Sequence, residues 1–398
     1  MEKLYQQAPY TVKFEAEVIS CKEGKTGFEV ILNRTAFYPE GGGQPSDTGV
    51  LGGAKVLSVH EKAGEIIHYT DAALNPGEII QGTIDWNQRF SNMQQHSGEH
   101  IVSGLIHAHF GYDNVGFHMG NEEMTIDLNG VLTWEQLMDI EQEANRMIYK
   151  NIPLCITYPS EEELETISYR SKKELTGQVR IVEVPGADVC ACCGTHVERT
   201  GEIGIIKFIS MIHYKTGVRI SMLCGEKALL ACERRIDQTN RISTILSAKQ
   251  DNIVAAVEKL KQDALEKEGQ IAGLKRQLIT IKAEQFEDRE TRADQCLLVF
   301  EPELSPILVR QFCDLLLEKN KGLVAAVCSE KMAGEYNYCI GSRAGGMKSL
   351  GKNLNEELTG KGGGTDLMIQ GTFHAEEQDI RFAFEKETAK VRREDIII

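Results

Sequence analysis

Two short blocks, far apart in the chain, constrain its fold more than any other feature. His96-Ser97-Gly98-Glu99-His100 carries two imidazoles four residues apart. Ninety-odd residues later, Cys192-Cys193-Gly194-Thr195-His196 carries a thiol and an imidazole at the same spacing. Side chains at i and i+4 of a helix share a face about 6 Å apart, a gap that one cation can bridge. Together the blocks make a set of three histidines and one cysteine, a donor mixture that zinc prefers. If one ion takes both, the chain must fold so that the two segments meet. Spacing alone does not choose among Cys190, Cys192 and Cys193, which crowd the second block. His107 shares a helix face with His100 but lies ~10 Å along the axis, too far to join the same ion. His107, His60, His68, His109, His213 and His374 read as ordinary surface or core histidines.

The rest of the chain divides by pattern, and the whole reads as α+β. From Tyr10 to about Trp86 short alternations (Val12, Phe14, Ala16, Val18; Phe28, Val30, Leu32) predict strands. Between them Thr35 to Gly49 holds two prolines and four glycines, which exclude a helix interior and predict a structured loop. Residues 1–88 are therefore expected to form a small β-rich, barrel-like domain. Residues 89–228 mix helices at Met93–Phe110 and Trp134–Tyr149 with extended segments at Met124–Leu128, Val179–Val184 and Val218–Leu223. This is a central α+β domain carrying both metal-ligand blocks.

No proline occurs between Pro185 and Pro302. In that window Ile253, Val257, Leu260, Ala264, Ile271, Leu274, Leu278 and Ile281 keep a heptad register, broken by Lys267. The register predicts a long coiled-coil-like helical spacer over 229–292, pairing in an intramolecular hairpin or across a dimer seam. Residues 293–398 alternate strands (Leu297–Phe300, Leu323–Cys328) with a helix (Pro306–Leu317), a C-terminal α/β domain. There, Gly341 to Gly371 carries nine glycines with Arg343, Lys348, Lys352 and Lys361. Glycines admit close backbone approach and the four cations make this stretch the expected polyanion contact.

Composition narrows the function class. The net charge of −15 excludes nucleic-acid binding through bulk charge, so such a partner must meet a local basic patch. No apolar run approaches the ~20 residues of a membrane helix, and Met1 to Gln6 lacks the basic-then-apolar order of a secretory signal. Eleven cysteines without an export signal read as reduced thiols, some ligating metal. The expected location is cytoplasmic, with no membrane partner.

Taken in order, Thr35-Ala36-Phe37-Tyr38-Pro39-Glu40-Gly41-Gly42-Gly43-Gln44-Pro45, the HSGEH block at His96–His100 and the CCGTH block at Cys192–His196 resemble the alanyl-tRNA editing proteins of the AlaX type. The resemblance is to their long form and to the editing half of alanyl-tRNA synthetase, and it covers nearly the whole chain. It implies hydrolysis of seryl-tRNA mischarged on alanine tRNA, and of glycyl-tRNA as a second substrate, with alanyl-tRNA spared. It carries zinc ligation onto His96, His100, Cys192 and His196. A substrate-holding polar residue about twenty positions after the first histidine falls on His118, or on a neighbour at an offset of one. Thr125 and Asp127 in the next extended segment are expected to line the pocket. The C-terminal domain is expected to bind tRNA through Arg343, Lys348, Lys352 and Lys361 and to support a homodimer.

Two departures stand out. Cys193 replaces the usual glycine beside the ligands, and the chain begins directly with the β-rich domain. It is thus expected to act in trans, without binding ATP or activating amino acids. The assignment is physically sensible, because a pocket for alanine rejects serine only weakly and a second hydrolytic sieve corrects the error. The rival expectation is a non-catalytic tRNA-binding or regulatory protein with a structural zinc. The editing domain of threonyl-tRNA synthetase shares both blocks, but the Phe37–Gly49 loop and the C-terminal glycines favour the alanine system. A generic zinc hydrolase fits least: the Glu of an HExxH motif is missing, and Glu99 is expected to point away from the ion.

Overall fold

The computed structural model describes residues 1–25, 27–120, 122–171, 178–286, 296–319 and 324–394, with side chains to residue 389. The chain separates into two compact units, Met1–Ile242 and Ser243–Ile398. The expected boundaries near 88 and 228 both fall inside the first unit. The expected boundary at 292 lies outside the described residues, as does Leu323.

In the first unit, strands β1 (Lys13–Gly24), β2 (Gly27–Leu32), β3 (Gly49–Leu51), β4 (Ala54–Lys62), β5 (Glu65–Thr70) and β6 (Ile79–Ile84) close on themselves in the order β1-β2-β5-β4-β3-β6. All neighbours are antiparallel. Strand alternation drives this arrangement: Phe14, Ala16 and Val18 point inward to meet Val30, Leu51, Val56 and Ile66, while Glu15 and Glu17 face water.

Helix α1 (Trp86–Phe110) follows at once, its first turn capped by Asp85, which accepts from the Gln88 N–H at 3.2 Å. It ends at Gly111, whose left-handed backbone (φ 69) stops the helix. Strands β7 (Asn114–Met119) and β8 (Met124–Leu128), then helix α2 (Trp134–Tyr149), continue the chain. A three-stranded antiparallel sheet uses β9 (Cys155–Thr157), β10 (Ile181–Val184) and β11 (Asp188–Ala191). Strands β12 (Ile206–Tyr214) and β13 (Gly217–Cys224) join the earlier pair in a sheet of order β12-β13-β8-β7. Its inner face, with Met124, Ile126, Ile220 and Met222, shares one core with Ile101, Leu105 and Ile106 of α1. Helix α1 is therefore buried almost all round from Arg89 to Ile106, which fixes the orientation of whatever side chains it presents.

Helix α3 (Gly225–Leu246) spans the division between the units, and α4 (Ile253–Glu284) opens the second. Strand β14 (Cys296–Phe300) pairs in parallel with β15 (Val324–Met332). The sheet continues antiparallel through β16 (Glu335–Ser342), and its full order is β14-β15-β16-β18-β17, with β17 (Lys361–Gly364) and β18 (Met368–His374). Helix α5 (Pro306–Lys319) covers one face, and α6 (Met347–Glu357) with α7 (Glu377–Glu394) the other. Helix α4 docks through Ile279 and Ala283 rather than through its heptad stripe. Val257, Leu260, Ile271, Leu274, Leu278 and Ile281 are all exposed. No described helix is long and apolar enough to cross a membrane.

Candidate metal centre

His96 and His100 stand on successive turns of α1 with their rings stacked, centroids 5.4 Å apart. The chain leaving β11 turns sharply and brings Cys192 and His196 against them. The His196 ring centroid lies 4.7 Å from that of His96 and 4.9 Å from that of His100. Cys192 Sγ lies 3.3 Å from His96 Nε2 and 3.7 Å from His196 Nε2. One ligand atom from each of the four residues falls within 4.8 Å of all the others. Of the three crowded thiols, Cys192 alone joins this group, while Cys190 lies in a second group with His100 and Asp188. Cys193 is exposed.

The turn is held from below. Arg180 Nη1 donates to the carbonyls of Cys192 at 2.7 Å and Gly194 at 3.1 Å, and the Cys192 N–H donates to the Arg180 carbonyl at 3.0 Å. Gly194 is required there, because a Cβ would sit 2.2 Å from His96 Cε1. His100 Nδ1 lies 2.8 Å from Asp188 Oδ2, and Arg170 neutralises that carboxylate with bonds of 2.8 and 2.7 Å. A carboxylate only accepts, so Nδ1 carries a proton and Nε2 is the ring atom left to face the group. His100 Nε2 is buried with no hydrogen-bond partner among the described residues, as a donor to a cation would be. Burial drives the His196 imidazole down to about 3. Burial also raises the Cys192 thiol, but the imidazoles of His96 and His196 outweigh it and hold it well below the ordinary thiol range. The set is thus a thiolate among buried imidazoles, a fit for a soft divalent cation.

The loop Thr35–Thr48 closes the other side. Asp47 accepts from the Tyr38 N–H at 2.7 Å and from Arg89 Nε at 3.0 Å, while Arg89 Nη1 and Nη2 donate to the carbonyls of Pro9 and Ala36 at 2.7 and 2.6 Å. This buried pair ties the loop to the first turns of α1. A cavity of about 520 Å³ results, walled by Tyr38 and Gly41–Gly43 of the loop, His96 and His100 of α1, Phe117 of β7, and Cys192–Gly194. Glu99 lines the same cavity, buried and accepting from Ser103 Oγ at 2.6 Å; it is outside the ligand group but does not point to solvent.

The three residues expected to line the pocket beside the metal lie elsewhere. Adjacent strand residues face opposite sides, and Ile126 and Phe117, paired across β8 and β7, take the inner face. Phe117 packs on His96 at 5.2 Å and lines the cavity, but it is apolar and does not supply the polar substrate-holding side chain expected at His118 or at an offset of one. His118 and Thr125, paired in the same register, therefore take the outer face. His118 lines a separate pocket with Glu40 and His60. Asp127 is also outward and is held by Arg219 at 2.6 and 2.8 Å. In the second unit Lys348, Lys352 and Lys361 line a cleft of about 570 Å³ with Gly360 and Gly362–Gly364, whereas Arg343 is exposed outside that lining.

Sequence reasoning singled out neither Gln44, Asp188, Arg170 nor Arg89. Gln44 was visible only as a polar residue closing a glycine run. The other three acquire their roles through partners distant in the chain.

Comparisons with known proteins bear on the family of the chain. The family described as "Threonyl and Alanyl tRNA synthetase second additional domain" matches residues 179–222, and that described as "tRNA synthetases class II (A)" matches residues 4–88. The chain is 28% identical over 396 residues to the alanyl-tRNA editing protein AlaX-L of Pyrococcus horikoshii, with 96% of each chain covered. It is 31% identical over 279 residues to the alanyl-tRNA editing protein Aarsd1 of Rattus norvegicus, covering 66% of this chain and 68% of the relative. Its likeness to Aarsd1-A of Xenopus laevis is 28% over 383 residues, with 92% of each covered. The chain belongs to the alanyl-tRNA editing protein family.

Proposed function

We propose that this protein is a trans-acting hydrolase that removes serine, and secondarily glycine, from mischarged alanine tRNA while sparing alanyl-tRNA. The observation that carries the reading is the gathering of His96, His100, Cys192 and His196 within 4.8 Å at the wall of a cavity large enough for an aminoacyl ester. These four residues would hold a zinc ion. When bound, zinc supplies Lewis-acid polarisation of the ester carbonyl or an anchor for the substrate amine.

The remaining work belongs to the chain. The Gly41–Gly43 loop and Phe117 enclose the aminoacyl group, and Asp188 orients the His100 imidazole. Water is the nucleophile, and Cys192 serves as a ligand rather than an attacking group. Discrimination follows from polar partners for the serine hydroxyl, which alanine would leave unpaired at ~1–3 kcal/mol. Transfer RNA is held by Lys348, Lys352 and Lys361 in the glycine-lined cleft, with Arg343 nearby in sequence. The exposed heptad stripe of α4 forms the seam of a homodimer.

A four-donor set also suits a closed structural zinc site, since a tetrahedron with four protein ligands leaves no position for water. That second reading, a non-catalytic tRNA-binding protein, is separated from the first by one assay. Deacylation of seryl-tRNA and alanyl-tRNA, both on alanine tRNA, is measured with the wild type and with His100→Ala. The hydrolase reading requires rapid loss of serine, retention of alanine, no acyl-protein adduct, and a loss of at least ~100-fold in the variant, in the range seen when metal-site chemistry is removed. A folded, zinc-loaded wild type that turns over neither substrate would establish the structural-zinc reading.

A further inference from the structure

The three imidazoles of the cluster are backed in three different ways. His100 leans on the Asp188 carboxylate, itself neutralised by Arg170. His196 Nδ1 is buried with no hydrogen-bond partner among the described residues. His96 is backed from another part of the chain, the glycine-rich loop between β2 and β3. Its Nδ1 lies 2.8 Å from Oε1 of Gln44, a residue with no solvent exposure.

The Gln44 amide is pinned at both ends. Its Nε2 donates to Thr195 Oγ1 at 2.8 Å, and its Oε1 accepts from the Thr195 N–H at 3.3 Å. Turning the amide over would set its NH2 against the Thr195 N–H, two donors face to face, so the oxygen must face His96. An amide oxygen only accepts, and therefore His96 Nδ1 carries the proton and Nε2 keeps its lone pair. That Nε2 is the atom 3.3 Å from Cys192 Sγ, inside the ligand group. Gly194 completes the fit, because a Cβ there would meet His96 Nδ1 at 2.4 Å and Gln44 Oε1 at 3.2 Å.

We propose that Gln44 is a positioning residue of the metal centre: it sets the tautomer and ring orientation of His96 from the β-barrel loop. The centre is then assembled from two parts of the first unit, with the barrel supplying a determinant that neither ligand block contains. Because the amide is neutral, it orients His96 without adding charge, and it needs no counterpart to the Arg170 that offsets Asp188. This inference rests on the zinc reading above.

The test is zinc affinity of the full chain, measured by competition with a chromophoric chelator. Gln44→Leu removes the acceptor at similar volume and is expected to weaken zinc binding by about 10–100-fold, the usual effect of losing such a partner. Gln44→Glu keeps an acceptor at the same reach and is expected to restore most of that loss, which a purely packing role would not do. If Gln44→Leu fails to fold, Gln44→Asn is read instead; one methylene too short to reach His96, it is also expected to bind zinc more weakly. A foldable Leu or Asn variant with wild-type affinity overturns the proposal, as does a Glu variant as weak as Leu. A wild type that holds no zinc overturns the metal reading itself, which separates the two failures.

Discussion

Arg89 and Asp47 show how much of this site depends on a pair that never touches it. Both side chains are essentially without solvent, and the guanidinium also satisfies the Pro9 and Ala36 carbonyls. Desolvating two ions is costly, and what makes the pair tolerable is that each guanidinium nitrogen finds an acceptor. Removing one member strands the other. Arg89→Met is therefore expected to destabilise the first unit by about 3–5 kcal/mol in urea denaturation, and Arg89→Met with Asp47→Asn by distinctly less. Equal losses in the single and double variants would show that the charge pairing is not what matters. The four proposed ligands were legible beforehand: His96 and His100 because i,i+4 spacing on a helix converts into a shared face, and Cys192 and His196 by their CxxxH spacing alone, since that block lies in a non-helical turn. Their supports were not, because Gln44, Asp188 and Arg170 gain meaning only from residues that the fold brings in. His118, Thr125 and Asp127 were misplaced for a simpler reason. Strand alternation fixes that neighbours face opposite ways but not which set faces the core, until the Met124 and Ile126 side chains are seen packed on α1.

Among the elements, the helices read from apolar periodicity came through best. Trp134–Tyr149 is helical over the expected residues, and its Thr133–Gln136 capping box accounts for the sharp start. Helix α1 begins at Trp86, seven residues before the expected Met93, because its opening turns are polar (Asn87, Gln88, Arg89) and the Asp85 cap rather than apolar spacing sets the start. The heptads of α4 predicted a long helix, which exists, but left its partner open. With the stripe exposed and the helix anchored through Ile279 and Ala283, the partner we propose for it is a second copy of the chain. Leu260→Lys together with Leu274→Lys is expected to convert a dimer to a monomer in sedimentation equilibrium. Because both side chains are exposed in the single chain, each change should alter its stability by no more than about 0.5 kcal/mol. A wild type that sediments as a monomer at the same concentration sinks the dimer seam. Lys267, at a seam position, would then have served only solubility instead of fixing register.

For the whole molecule, the balance of charge decides how a polyanion can be held. The expected partition at 88 and 228 treated the barrel and the ligand-bearing segment as separate domains. The Asp47–Arg89 pair and the Gln44 bonds to His96 and Thr195 join those two segments within the compact unit Met1–Ile242. Such long-range polar contacts leave no trace in composition. The net charge of −15 was legible, and it repels tRNA at long range. In the proposed reading, tRNA is then held by short-range contacts where cations cluster beside backbone that lets phosphate approach. Lys348, Lys352 and Lys361 around Gly362–Gly364 meet both conditions, although Lys352 also lies 4.0 Å from Glu356. Each phosphate contact contributes about 0.7–0.9 to the slope of log affinity against log salt. Replacing all three lysines by glutamine should lower tRNA affinity and flatten that slope by about 2–3, while seryl ester cleavage on a minimal acceptor fragment is retained. An unchanged slope would place the tRNA contact outside this cleft, and a loss of cleavage on the fragment would show that the lysines act on the chemistry and not on the grip.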